Sequence, residues 1–295
     1  MFYKLPRFNY YRVTSLNEAL KLVNELEDFK VVAGGTDLVM DLKIKRYIPK
    51  NIIDISRVKE LDYIVDEGDR IRIGALTRLQ EIVDSPIIRE KAYVLAEAVN
   101  QMASWQIRNI ATIGGNLCNA SPAADTAPPL YVLNAELKLV SVEGERIVPV
   151  TKFFHGPRKT ELKKNELLAE IIIPVEKDAG ASAIKLGRRN AFTLSIVAVA
   201  TLVKVSDNKF TDVRVALNSV APTPVRATSV EKALTGREVS LEAVEEASKL
   251  VVNDIKPISD VRASADYRRE MSIVLTRDSL LKSLERIGLK LGGEE

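Results

Sequence analysis

The sequence predicts an α+β protein in which two N-terminal lobes, each mixing strands with helices, precede a domain built from a three-stranded antiparallel sheet and helices. Three observations carry this. Short β-rich apolar runs alternate with helix-period stretches through the first half of the chain. A block of strands over 183–217 is followed by a block of helices over 228–287, an order typical of α+β rather than of parallel α/β architecture. A small, charged segment at 177–182 separates these halves, and a change of composition at 56–61 divides the first again. The expected units are therefore 1–56, 57–176 and 177–295.

In chain order, Thr14 and Ser15 offer an N-cap to a helix whose apolar positions are Leu16, Ala19, Leu20, Val23 and Leu26. Residues 29–33 read as a strand leading into Gly34-Gly35-Thr36-Asp37, then a helix over 38–44 and a strand over 51–55. Lys43, Lys45 and Arg46 read as a solvated face. Residues 63–65 and 71–73 alternate around Glu67-Gly68-Asp69, the pattern of a hairpin. Thr77 suits the cap of a helix over 79–83, and a longer helix is expected over 88–102. Prolines 122, 128 and 129 set turns before a helix over 130–134; strands follow at 135–142, 146–149 and 166–174. Beyond the linker, strands at 183–187, 193–205 and 211–217 precede helices Thr228–Leu234, 241–252 and 264–287.

Bulk properties narrow the function. The chain has 295 residues, 46% hydrophobic and 28% charged, the balance of an ordinary globular protein. Its net charge of +3 comes from interspersed rather than clustered Lys and Arg, so no stripe tracks a nucleic-acid backbone. The start lacks a cationic-then-apolar signal pattern, and the longest apolar run, 194–203, falls short of the ~20 residues of a membrane span. A cytoplasmic protein is expected. One cysteine, Cys118, and one histidine, His155, exclude an internal disulfide, an iron–sulfur or zinc site of the chain's own thiolates and a histidine-based triad, and no metal site is expected. Scarce Gln with abundant Lys, Glu, Ile and Val points to a thermophilic source.

The chemistry concentrates in two glycine-paired stretches, VVAGGTDLVMDL at 31–42 and NIATIGGNLCNASPAADTAPP at 109–129. Glycine pairs beside hydroxyl and carboxylate side chains let backbone N–H groups turn toward an anion with no Cβ in the way. Two such loops suit a dinucleotide pyrophosphate held from both sides. Neither is the G-x-G-x-x-G or the Walker pattern, so the fold is not the usual nucleotide fold. Ordinary strand-to-helix turns remain the alternative for each loop taken alone.

These segments, read with others in order, resemble the FAD-binding medium subunits of molybdenum-containing hydroxylases, a family that includes carbon monoxide dehydrogenase, aldehyde and glyceraldehyde oxidoreductases and the middle domain of xanthine dehydrogenases. The likeness covers nearly the whole chain. It comprises Ala33-Gly34-Gly35-Thr36-Asp37-Leu38, Gln106-Ile107-Arg108-Asn109, Thr112-Ile113-Gly114-Gly115-Asn116, Ser121-Pro122-Ala123-Ala124-Asp125, Phe153-Phe154-His155-Gly156 with Thr160, Lys185-Leu186-Gly187-Arg188-Arg189 and Ala265-Asp266-Tyr267-Arg268. The resemblance implies a non-Rossmann, PCMH-like FAD fold of two subdomains closed by a third domain. It implies that Val32, Ala33, Gly34, Gly35, Thr36, Asp37 and Leu38, with Thr112, Ile113, Gly114, Gly115 and Asn116, wrap the pyrophosphate. Asp125 would bond sugar or ribityl hydroxyls, Leu168 would lie against a ring, and Met102 and Lys185 would also contact the cofactor. A cation such as Lys185 stabilises charge that develops on a reduced flavin. The same residues have plainer readings, Lys185 as a salt-bridged strand lysine and Asp125 as a helix cap before Thr126.

The resemblance further implies an electron-transfer oxidoreductase subunit with no catalytic residue of its own for the organic substrate. Partners would be a large subunit with the molybdenum cofactor and a small subunit with [2Fe–2S] clusters, in a heterotrimer or a dimer of heterotrimers, with aldehyde oxidation as the expected reaction. A stand-alone NAD(P)H-dependent flavin oxidoreductase and a cofactor-free structural subunit are the rival expectations. Three departures stand out. Asn190-Ala191-Phe192-Thr193 occupies the place of an acidic pair, Asn218-Ser219 stands where glycines are usual, and a cysteine-rich insertion of some relatives is absent.

Overall fold

A computed structural model describes residues 4–189 and 191–291. Asn190, part of the first departure above, lies outside them. The first lobe contains β1 (Asn9–Arg12), α1 (Leu16–Glu25), β2 (Phe29–Val32), α2 (Leu38–Lys43) and β3 (Asn51–Asp54), with a parallel sheet ordered β1-β3-β2. Ser15 caps α1 by accepting from Glu18 N, and Ala19 and Val23 are buried on its inner face. The strand β1 was not expected, since its residues are largely exposed and give no alternation to read.

The second lobe runs β4 (Ile64–Asp66), β5 (Arg70–Gly74), α3 (Leu79–Asp84), α4 (Pro86–Lys91), α5 (Tyr93–Asn100), α6 (Trp105–Arg108), α7 (Ile113–Asn119), α8 (Ala127–Val132), β6 (Glu136–Ser141), β7 (Gly144–Pro149), β8 (Phe154–Gly156), β9 (Lys159–Thr160) and β10 (Leu167–Pro174). Its antiparallel sheet has the order β4-β5-β10-β6-β7. Four local expectations are corrected. The helix expected over 88–102 breaks at Ala92, whose φ of −142° leaves the helical region. Thr77 does not cap α3; its hydroxyl donates to Tyr63 O instead. The glycine pair of the second stretch, Gly114-Gly115, lies not in a loop but in the helix α7, capped by Thr112. Pro128 and Pro129 form the first turn of α8, where a missing N–H is harmless, so that helix begins earlier than the prolines suggest.

The third unit is β11 (Gly180–Gly187), β12 (Ser195–Ser206), β13 (Lys209–Asn218), β14 (Val225–Arg226), α9 (Thr228–Leu234), α10 (Leu241–Lys249) and α11 (Ala265–Glu285). Its antiparallel sheet gains a fourth strand, the two-residue β14. One face of this sheet packs on α9, α10 and α11 through Val197, Val199, Val215 and Leu217. The other contributes Ala183, Ala200, Leu202 and Ala216 to the core of the second lobe. Burial on both faces explains why β12 reads as an apolar run from Ile196 to Val203 interrupted only by Thr201. The expected linker is also shorter than 177–182, because Gly180 already belongs to β11. A Cβ there would lie 1.9 Å from Ser283 O on α11, so this glycine serves close helix packing rather than flexibility.

Candidate functional site

The edge strand β2 leaves its sheet after Val32, whose carbonyl accepts from Ile55 N at 3.0 Å. Being at the edge, the following segment has no neighbour to pair with. Among the described residues, nothing accepts the backbone N–H groups of Gly34, Gly35, Thr36, Asp37 and Leu38. Gly35 holds a left-handed φ of +72°, which turns the chain without steric cost. Gly34 is needed for another reason: a Cβ there would lie 2.0 Å from Ile110 O, so the first glycine stretch touches the backbone just ahead of the second.

The second stretch is built differently. Ile113 N donates to Thr77 O at 3.1 Å, Gly114 N to Ala75 O at 2.9 Å and Gly115 N to the Thr112 hydroxyl at 3.1 Å. The expectation that both glycine pairs bare their amides therefore holds only for the first. A Cβ on Gly114 would sit 2.6 Å from Ala75 Cβ, so that glycine seats α7 against the end of β5. Sequence reasoning could not separate the two uses of Gly-Gly, which differ only in what the fold packs beside them.

Between the lobes these segments border an open cleft of about 260 Å³. Residues 32–38, Thr112, 114–116 and Leu168 line it. Its floor is apolar, formed by Ile55, Ala75, Leu76, Leu167 and Leu168. Ile113 is instead wholly buried in the core behind the wall. Met102, Asp125 and Lys185 are likewise not part of the lining. Met102 is a core residue, and its carbonyl accepts from the buried Arg108 guanidinium at 2.7 Å.

Asp125 and Lys185 are bonded to one another at 2.7 Å, and both side chains are under 10% exposed. Asp125 also accepts from the Ser195 hydroxyl and from Asn218 Nδ2 at 2.9 Å. The carboxylate thus joins the second lobe to β11, β12 and β13, and Asn218 takes a bonding role that a glycine could not. Its neighbour Ser219 adopts φ +64°, a conformation that glycine reaches without strain. The next residue along from Asp125, Thr126, donates to Asn116 Oδ1 at 2.6 Å, so the network stands one bond behind the cleft wall. Asp125 makes no helix cap, and α8 has no side-chain cap bond.

Several lining residues were not foreseen. Arg158 reaches across from the β8–β9 turn to Asp41 on α2 at 2.6 Å and to Asn119 at the end of α7 at 3.0 Å. Arg46, read as part of a solvated face, also bonds Asp41. Lys30 sits 4.2 Å from the centre of the Tyr47 ring. Glu166 lies in the wall, bonded by Arg146 at 2.7 and 2.9 Å in a bidentate pair that holds its carboxyl below the usual range. Asp37 differs: burial pushes its carboxyl up, with the Arg158 charge opposing, and among the described residues no cation is paired with it. Cys118 is half-buried in the same wall, and desolvation there pushes its thiol up to about 12, which keeps it protonated.

The cleft therefore offers five free amide donors, an apolar floor and carboxylates that are mostly neutralised by arginines. Donors of this kind match a diphosphate, the floor matches a ring system, and the unpaired Asp37 matches sugar hydroxyls, so the residues present fit FAD. Among the described residues, no group of three or more His, Cys, Asp or Glu is placed to hold a metal, and no helix is long and apolar enough to cross a membrane.

Residues 6–176 match the family model described as the FAD binding domain in molybdopterin dehydrogenase, and residues 182–283 match that of the CO dehydrogenase flavoprotein C-terminal domain. The chain is 36% identical over 271 residues to the glyceraldehyde dehydrogenase medium chain of Sulfolobus acidocaldarius, covering 92% of this chain and 96% of that one. It is 30% identical over 286 residues to the xanthine dehydrogenase FAD-binding subunit of Escherichia coli O157:H7, covering 96% and 98%. Among solved structures, it is similar to carbon monoxide dehydrogenase from Hydrogenophaga pseudoflava lacking the Mo-pyranopterin moiety, with a TM-score of 0.93 at 33% identity and coverage of 96% and 99%.

Proposed function

The chain belongs to the FAD-binding medium subunits of the molybdenum hydroxylases, and from that premise we propose that it carries FAD in the cleft between its first two lobes as the electron-transfer subunit of an aldehyde-oxidising complex. The observation that carries the placement is the run of free amides from Gly34 to Leu38 on the cleft wall. When bound, FAD supplies the redox chemistry, taking electrons that originate at a molybdenum cofactor and pass through [2Fe–2S] clusters, then yielding them to an outside acceptor.

This chain's residues hold and shield that group. The amides of 34–38 take the diphosphate, Asp37 accepts from sugar hydroxyls, and Leu168 with Leu76 keeps water from the ring-binding floor. For Asp125 and Lys185 to reach the cofactor directly, their mutual ion pair must open. The molybdenum cofactor belongs to a large partner subunit and the clusters to a small one, in a heterotrimer or a dimer of heterotrimers in the cytoplasm. The similarity to a glyceraldehyde dehydrogenase medium chain supports the aldehyde assignment. We take 1–56 and 57–176 as the two subdomains around the cofactor and 177–295 as the closing domain.

The test is purification from the native source with flavin and metal analysis. One FAD per chain, together with co-purifying molybdenum and iron in two further polypeptides, is the expected result. A lone yellow chain that oxidises NADH without partners, or a chain that retains no flavin when FAD is offered, would overturn the reading.

A further inference from the structure

We infer that Arg158 is a cofactor-binding residue, the cation that reaches across the cleft to the diphosphate held by the amides of residues 34–38. This rests on the FAD reading above. Five amides supply partial charge only, and a diphosphate brings full negative charge into a wall that also carries Asp37, Asp41 and Glu166. Among the described lining residues the cations are Lys30 and Arg158. Lys30 stands over the Tyr47 ring on the same lobe as the amides, whereas Arg158 comes from the opposite lobe.

Its backbone is fixed while its side chain has somewhere to go. Arg158 lies in a two-residue turn between β8 and β9, at φ +61°, and its N–H donates to Ala120 O at 2.9 Å, anchoring the turn to the end of α7. The side chain is 33% exposed, against 7% for Asp41. Its present partner can spare it. Asp41 is shared, with Arg46 on Oδ1 and Arg158 on Oδ2 at 2.6 Å and more weakly on Oδ1 at 3.5 Å, so it keeps a guanidinium when Arg158 turns away. The other partner, Asn119, is neutral. The Arg158 charge is also felt at Asp37, in the middle of the amide run, where it opposes the rise that burial causes. A planar guanidinium then exchanges a carboxylate for a phosphate, two oxyanions of matching geometry.

The experiment compares Arg158→Gln and Asp41→Asn in the full chain, stripped of flavin, titrated with FAD by fluorescence and with ADP by calorimetry. A lost bond to a charged group predicts tenfold to a hundredfold weaker binding of both ligands to Arg158→Gln. Asp41→Asn frees the guanidinium, so its ADP affinity should be equal to or tighter than that of the parent. If the two variants weaken together, Arg158 merely straps the lobes and the inference falls. It falls too if Arg158→Gln binds ADP as the parent does. Should Arg158→Gln not fold, weakened ADP binding by Asp41→Asn alone overturns the inference and tightened binding supports it. A parent chain that binds neither FAD nor ADP would instead bring down the FAD reading itself.

Discussion

Replacing Gly34 by alanine tests the geometry on which the cleft depends. The added Cβ would stand 2.0 Å from Ile110 O and 2.8 Å from Ile110 C, whereas real Cβ atoms are essentially never nearer than 3.0 Å. The two segments must therefore separate by about 1 Å, the difference of those values. The atoms met are backbone, so no side chain can swing aside. Overpacking of this kind costs about 1–3 kcal/mol. At roughly 2–4 °C per kcal/mol for a domain of this size, the melting temperature should fall by several degrees. The same displacement moves the free amides out of the 2.7–3.2 Å range of a good hydrogen bond, and two weakened bonds to a charged ligand represent at least a tenfold loss of FAD affinity. Differential scanning fluorimetry of the stripped protein and a fluorescence titration with FAD read the two effects separately. An unchanged melting temperature would refute the contact with Ile110. A lowered one with undiminished FAD affinity would refute the role of the amides.

The remaining predictions probe the neighbouring elements. Gly114→Val should destabilise the flavin-free protein outright, because its side chain runs into Ala75 rather than into the cleft; a loss visible only in FAD binding would contradict that placement. Asp125→Asn or Lys185→Met leaves one buried charge unpaired and should cost about 3–5 kcal/mol by chemical denaturation, while the double variant recovers much of it; simple additivity would sink the coupling. The Cys118 thiol, ordinarily near 9.0 and here at about 12, is protonated in the fold where the unfolded chain has lost its proton. Its contribution to stability is thus fully present below pH 9 and is lost as pH rises from there to about 12, so Cys118→Ser should flatten the alkaline decline. Iodoacetamide should label Cys118 only slowly at pH 8, because the thiol stays protonated although the residue is only half-buried in the cleft wall, and rapid native labelling would contradict the raised value.

Local sequence determined much of this protein. Alternation and helix period reveal most strands and helices, and the order of strand and helix blocks carries the α+β class, because both periodicities follow from which side of an element faces apolar neighbours. The ordered motifs from Ala33 to Arg268 indicate the FAD-binding family and point to both glycine stretches. Tertiary structure alone decided what each glycine does. Gly35 turns a chain, Gly34 and Gly114 admit another backbone, and Gly180 seats α11, all from a residue type that looks the same in sequence. It alone also decided the charges. Arg158 stands 117 residues from Asp41 in the linear chain, yet folding pairs them at the cleft, and Asp125 and Lys185 pair their charges with each other behind it. Such pairs are set by distance across lobes, and distance between segments remote in sequence leaves no period for a reader of the sequence to find.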